Sequence, residues 1–205
     1  MAKVNTKTNA KGKFDTQKLV LLALLTAIVF VLQLLAILAR PLFPLFTITL
    51  VLIPIIIGAA LIGVYAGAWL GLAFGFAVLL SGDAAAFLAI NVPGTILVVL
   101  FKGALAGLAS GVVYSLIAKK GRTAAAIVSA AICPIVNTGI FVVGTYLFFL
   151  ETIKEWGAGA GYENATAYIF LGLVGINFLV ELGINIVLCP VIVRLIQYGQ
   201  DRRAR

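Results

Sequence analysis

The chain has 205 residues, of which 63% are hydrophobic and only 11% are charged. A soluble globular domain has about 45–50% apolar and about 25% charged residues, so a water-soluble core could not bury this much apolar surface. The composition excludes a soluble globular domain and predicts an integral membrane protein, with lipid as the solvent of its surface. The length suits one compact helical bundle.

The net charge is +8, and the sequence contains no histidine. The basic residues lie at the chain ends and in one short loop, which favours a role in membrane topology over nucleic-acid binding. The absence of histidine excludes Ser-His-Asp and Cys-His triads and His-ligated zinc or haem. Cys133 and Cys189 lie in apolar runs without CxxC spacing, so neither a disulfide framework nor a metal site is indicated. We expect no enzyme, no metal and no cofactor.

Six apolar runs are long enough to be predicted as membrane-spanning helices, which need about 20 residues each. In chain order they are residues 19–39, 46–62, 64–80, 95–118, 123–150 and 168–196. Between the third and fourth runs, the segment 83–93 is predicted as a short helix or a re-entrant piece. The polar segment 151–167 is either an interfacial lid or a plain connector. The predicted fold class is an all-α bundle of six transmembrane helices.

The charge distribution agrees with six spans. The N-terminal tail, the turn at 119–122 and the C-terminal tail fall on one side and, with Arg194 counted in the C-terminal tail, hold twelve of the 15 lysines and arginines. The positive-inside rule makes that side cytoplasmic. The sequence therefore predicts a basic cytoplasmic tail at 1–18, a transmembrane domain at 19–196 and a second cytoplasmic tail at 197–205.

Two sets of glycines recur at every fourth residue. They are Gly63, Gly67, Gly71 and Gly75 in the first set, and Gly103, Gly107 and Gly111 in the second. This spacing places each set along one helix face, where small residues let two backbones approach closely in lipid. The pattern favours tight packing inside the bundle over a sliding or docking surface.

Five polar residues lie inside the apolar runs. They are Lys102, Asn137, Asn177, Glu181 and Asn185. Polar groups in a bilayer usually face a bundle interior or a cavity, because a charge exposed to lipid costs about 2.5–3.5 kcal/mol on insertion scales. The last three are spaced four residues apart, which places them on one helix face.

Two interpretations of these residues stay open. In the first, they form a substrate pocket open to the outside, where Lys102 binds an anionic or carbonyl group and Asn137 and Asn177 bind amides or hydroxyls. In the second, Lys102 and Glu181 form an ion pair and the asparagines connect helices. The candidate substrate-binding residues are Lys102, Asn137, Asn177, Glu181 and Asn91.

Several segments resemble one transporter family. Ala23 and Ala27 form an AxxxA pair early in the first span. Three further stretches also look like that family, at 52–61 (LIPIIIGAAL), 67–71 (GAWLG) and 133–139 (CPIVNTG). With the size and the six predicted spans, these segments resemble the S components of energy-coupling factor (ECF) vitamin transporters. The resemblance covers nearly the whole chain after the N-terminal tail.

The resemblance implies partners and a class of ligand. Ala23 and Ala27 would contact a transmembrane coupling protein (the T component), and two cytoplasmic ATPase subunits would drive import across the plasma membrane. The chain has no GxxxxGK[ST] sequence, so the ATP chemistry must come from partners. The ligand would be a small water-soluble vitamin, pantothenate before riboflavin. An isoalloxazine would need aromatic walls, for which the candidates are Phe74, Phe76, Phe87, Phe141 and Tyr146.

Two other functions are less consistent with the sequence. A proton- or ion-coupled secondary carrier of a small anionic solute could use Lys102 and Glu181, although the chain is short and has no clear inverted repeat. An intramembrane enzyme is disfavoured, because Ser110 and Ser129 have neither a base nor a nucleophile-elbow context.

Overall fold

The computed structural model describes residues 16–39 and 50–204, and over this part of the chain the ordered elements are all helical. In chain order they are α1 (Thr16–Ala39), α2 (Leu52–Leu61), α3 (Val64–Leu80), α4 (Ala85–Leu88), α5 (Val92–Ile117), α6 (Arg122–Phe148), α7 (Leu150–Gly159), α8 (Ala165–Ala167), the π-helix π1 (Tyr168–Leu173) and α9 (Gly175–Ala204). The predicted all-α class is confirmed for these residues.

Three of the described helices, α1, α5 and α6, are long and apolar enough to cross a membrane. A fourth candidate is a bent pair, Ala165–Leu173 with Asn177–Asn185, whose two parts meet at 41°. The shorter helices α2 and α3 are also apolar. The protein is therefore a multi-pass membrane protein, whereas the number of six spans and the orientation of the termini stay predictions.

The ends of some described helices differ from the predicted ends, because hydropathy gives no signal where a helix breaks within an apolar run. Residues 46–49 of the second predicted span lie outside the described residues, and α2 covers the rest of that span with Pro54 in its first turn. The fifth span was predicted to end at residue 150, but α6 ends at Phe148 and Leu150 already belongs to α7. Phe149, between them, has φ −133° and ψ 10°. The break is invisible to hydropathy because the residues on both sides are apolar.

The segments predicted as connectors are largely helical. The segment 83–93 contains the short helix α4, as predicted. The polar segment 151–167 contains α7 and α8, and Ile153 of α7 is fully buried. At the other end, α9 continues through the predicted tail to Ala204. Gln, Arg and Ala are good helix formers, so the end of the apolar run does not mark the end of the helix.

The two glycine sets face each other across α3 and α5. A Cβ atom on Gly71 would collide with the main-chain carbonyl oxygen of Gly103, and one on Gly107 would collide with that of Gly67. The backbones of the two helices are therefore in direct contact, as the four-residue spacing predicts. Gly63 is the exception: it precedes α3 with φ 137°, and a Cβ there would meet nothing within 4 Å.

A pair of serines connects α5 to α6. The Ser110 hydroxyl donates to the main-chain oxygen of Ser129 at 3.3 Å, and the Ser129 hydroxyl donates to that of Ser110 at 3.1 Å. Both residues are fully buried. Interhelical hydrogen bonds of this kind contribute about 0.6 kcal/mol each in a membrane protein, so the two serines have a structural role here.

Helix α1 contacts the bundle along one stripe. Its buried residues are Leu25, Val29, Gln33 and Ala36, which recur at helical spacing on a single face. Ala23 and Ala27, in contrast, are exposed on another face of the helix. The stripe leaves most of the α1 surface free for lipid or for another protein.

The α3–α5 contact can be tested with Gly71→Ala. Its methyl group must displace a main-chain carbonyl, and overpacking of this kind costs about 1–3 kcal/mol. We expect the melting temperature of the purified protein to fall by about 3–9 °C. Gly139→Ala in α6 is the control, because a Cβ there meets nothing within 4 Å. Equal melting temperatures for the two variants would contradict direct backbone contact between α3 and α5.

A candidate substrate cavity

A cavity of about 270 Å³ lies among α1, α3, α5, α6 and α9. Its polar lining residues are Gln33, Asp83, Thr95, Lys102, Asn137, Thr138, Asn177 and Glu181. Its aromatic lining residues are Phe74, Phe87, Phe141, Phe149 and Phe178. An apolar wall with a few convergent polar groups is typical of a small-molecule site.

Four of the five candidate residues predicted from the sequence line this cavity together. Lys102 comes from α5, Asn137 from α6, and Asn177 and Glu181 from α9. Asn91 is not among the lining residues. It precedes α5, where its Oδ1 accepts a hydrogen bond from the main-chain N–H of Gly94 at 2.9 Å. This is the geometry of an N-cap, which satisfies one of the free donors at the start of the helix.

The Lys102 ammonium packs against two aromatic rings. Its Nζ lies 5.3 Å from the ring centroid of Phe141 and 5.8 Å from that of Phe74. A cation this close to an aromatic face is attracted by about 0.5–2 kcal/mol. Within residues 16–39 and 50–204, no ion pair joins Lys102 to Glu181, although both line the cavity. The Lys102 ammonium therefore lines the cavity with no carboxylate oxygen of the described residues within 4.0 Å.

The polar face of α9 is only partly in the cavity. Asn177 and Glu181 line it, whereas Asn185 lies one turn further along the helix and is 1% exposed. The Asn185 Nδ2 donates to the main-chain oxygen of Glu181 at 2.8 Å, and its buried Oδ1 has no partner among the described residues. Glu181 itself is 8% exposed. The predicted single face is confirmed, and its first two members reach the cavity.

Asn137 presents a buried acceptor at the α6 side of the cavity. It is 7% exposed, and its Oδ1 accepts no hydrogen bond from the part of the chain that the structure describes. A buried acceptor without a donor costs about 1–3 kcal/mol, so such groups in native proteins usually meet a ligand or water.

Sequence reasoning missed Gln33 and Asp83. Gln33 is 2% exposed, and its Nε2 donates to Asp83 Oδ2 at 3.2 Å and to Ser81 Oγ at 3.4 Å. These bonds connect α1 to the segment before α4 at the edge of the cavity. Gln33 could have been found from the sequence, because it is the only polar residue between Thr26 and Arg40.

An aromatic cluster connects the cavity to α7. Phe87 lines the cavity and makes edge-on contacts with Phe141, Phe149 and Trp156, with ring centroids 5.7, 5.0 and 5.6 Å away. Trp156 belongs to α7, no residue of which lines the cavity. Helix α7 therefore supports the aromatic wall from behind.

The family model for the substrate-specific component of ECF transporters matches residues 17–193. The match spans most of the chain and includes every cavity-lining residue, so the chain belongs to this family of substrate-binding membrane subunits. Comparison with curated proteins finds no match, and comparison with solved structures finds none either.

The contact between Phe87 and Trp156 predicts a fluorescence signal. A ligand in the cavity would touch Phe87 and so change the packing around Trp156, one of only two tryptophans. The other, Trp69, is half-exposed on α3 and donates to Thr26 Oγ1 at 3.3 Å, away from the cavity lining. We expect a ligand that binds in the cavity to change the emission of Trp69→Phe as in the wild type, and to leave that of Trp156→Phe nearly unchanged. The reverse pattern would contradict binding in this cavity.

Proposed function

We propose that this chain is the substrate-specific subunit of an ATP-driven ECF importer for a small water-soluble vitamin, with pantothenate as the first candidate and riboflavin as the second. The observation that carries the choice is the lysine in the cavity. Its ammonium lies against two aromatic rings, and within the described residues it forms no ion pair, so it can bind the carboxylate of a ligand.

The size and polarity of the cavity favour pantothenate. Its volume of about 270 Å³ is near the lower end of the range for ligand pockets, roughly 300–1,000 Å³. Pantothenate is a small, flexible molecule with one carboxylate, an amide and two hydroxyls. Two aromatic residues considered for a flavin are elsewhere: Phe76 is half-exposed on α3, and the Tyr146 hydroxyl donates to Thr166 Oγ1 at 2.9 Å.

The role of Lys102 predicts how the protein should distinguish two related ligands. Pantothenol has a hydroxyl where pantothenate has its carboxylate, so the pair tests one charge. We expect the wild type to bind pantothenate at least about tenfold more tightly than pantothenol, since hydrogen bonds to a charged partner contribute about 1.5–3 kcal/mol. Lys102→Met should remove that preference, and Lys102→Arg should retain part of it. Equilibrium binding to purified protein measures both affinities.

Lys119→Met is the matched control, because this lysine is exposed outside the cavity. A folded Lys102→Met protein that still prefers pantothenate would show that the lysine is structural. If the wild type binds no vitamin of a broad panel, the vitamin proposal is wrong. Accumulation of an anionic solute by the chain alone, driven by an imposed proton gradient, would then support the secondary carrier.

The same proposal includes the topology and the partners. We propose six spans, both termini in the cytoplasm, a location in the plasma membrane, and a complex with a T component and two ATPase subunits. Docking would use the exposed face of α1 around Ala23 and Ala27. Small residues on an exposed membrane helix permit close approach of another helix, which supports this assignment.

Replacing Ala23 and Ala27 together with leucine should separate binding from transport. The larger side chains would hold the partner helix away, so we expect ATP-driven uptake in the reconstituted complex to fall by at least about tenfold. Vitamin binding by the isolated subunit should stay within about twofold of the wild type. Ala158→Leu, at an exposed alanine of α7, is the control. Equal loss of binding and uptake would contradict a docking role.

A further inference from the structure

We propose that Glu181 is a specificity-determining residue, which binds the hydrogen-bond donor end of a ligand whose anionic end binds Lys102. The inference rests on the proposed function of the cavity as a substrate site. It assigns a ligand class: a small molecule with a single anionic group at one end and hydroxyl, amide or ammonium donors at the other. A second anionic group at the donor end would be rejected.

The charges of the cavity support this class. Among the described residues, its lining includes the basic side chain of Lys102 and the acidic side chain of Glu181. A carboxyl group therefore shares the cavity with the lysine, whereas the lysine alone would predict a simple anion as the ligand. A ligand with one anionic group can use the lysine, whereas a dianion must also approach a carboxylate in a medium of low dielectric constant.

The hydrogen-bonding groups are divided between two walls. The α5 wall offers the Lys102 ammonium, which only donates. The wall made by α6 and α9 offers the Glu181 carboxylate and the buried Asn137 Oδ1. Within the described residues, neither of these acceptors receives a hydrogen bond from a side chain.

The nearby Asn185 amide is not a hydrogen-bond partner of the Glu181 carboxylate. That amide donates to the main-chain oxygen of Glu181 and not to its carboxylate. Glu181 is nevertheless 8% exposed, and a buried carboxylate without donors is costly. Donor groups on a ligand would offset that cost, so occupancy of the cavity by such a ligand is favoured over occupancy by a molecule that only accepts.

The test compares pantothenate with 4′-phosphopantothenate, which carries a phosphate in place of a terminal hydroxyl. We expect the wild type to bind the phosphorylated compound at least about a hundredfold more weakly. Glu181→Gln removes the charge and retains a similar shape, so the ratio of the two affinities should fall by about tenfold. Glu155→Gln, an exposed glutamate of α7, should leave the ratio unchanged. The ratio is informative because general damage to the fold would weaken both ligands alike.

A second variant, Glu181→Asp, keeps the inference testable if Glu181→Gln does not fold. Glu181→Asp keeps the charge and shortens the side chain, so it should weaken pantothenate binding but still reject the phosphorylated compound. An unchanged ratio in folded Glu181→Gln would mean that size alone excludes the phosphate and would overturn the inference. Tight binding of riboflavin, which has no anionic group, in place of pantothenate would also overturn it but leave the importer function standing. If the wild type binds no vitamin, the proposed function and the inference both fail.

Discussion

The direct contact between the backbones of α3 and α5 is the constraint on which the cavity depends. Where glycines face each other, the two helices approach as closely as their main chains allow. Lys102 immediately precedes Gly103 in this contact, and a Cβ on Gly103 would lie 3.4 Å from the ring of Phe74. The glycines therefore determine how near the lysine lies to its aromatic neighbour. A bulkier pair of faces would separate the helices and widen the cavity at that wall.

The polar residues of the membrane domain differ in how completely their hydrogen-bonding groups are paired. The Ser110 and Ser129 hydroxyls each donate a hydrogen bond to the main-chain oxygen of the other residue, and both residues are completely buried. Two cavity residues differ, because Lys102 rests on aromatic rings and the Asn137 Oδ1 receives no hydrogen bond from the described residues. Polar groups that serve only packing are usually fully paired. Within the described residues, the buried side-chain acceptors without a donor belong to Asn137, which lines the cavity, and to Asn185, one turn beyond Glu181 on α9. Incomplete pairing is therefore concentrated in and beside the candidate site.

The sequence predicts much of this arrangement through periodicity. Four-residue spacing identified the faces of the glycine helices and the polar face of α9, and isolated polar residues in apolar runs identified Lys102, Asn137 and Glu181. It could not assign Asn91 to a helix cap, because capping depends on where the helix begins. It also could not predict the Gln33–Asp83 hydrogen bond, since that pair is formed by tertiary packing of distant segments. Hydropathy similarly missed the break at Phe149, where the apolar run continues through a change in backbone geometry.

The reciprocal bonds between Ser110 and Ser129 limit how the domain can change shape. If α6 slid along α5, both hydroxyls would lose their acceptors at once in surroundings with no water to replace them. The two helices should therefore keep a fixed register and move as one rigid body together with α3. In the described part of the chain, helix α9 is not joined to this unit by such a pair, and it follows the π-helix Tyr168–Leu173, which departs from the regular α-helical hydrogen-bonding pattern. The helices α3, α5 and α6 would thus form a rigid part of this small protein that holds Lys102 and Asn137 at a constant separation.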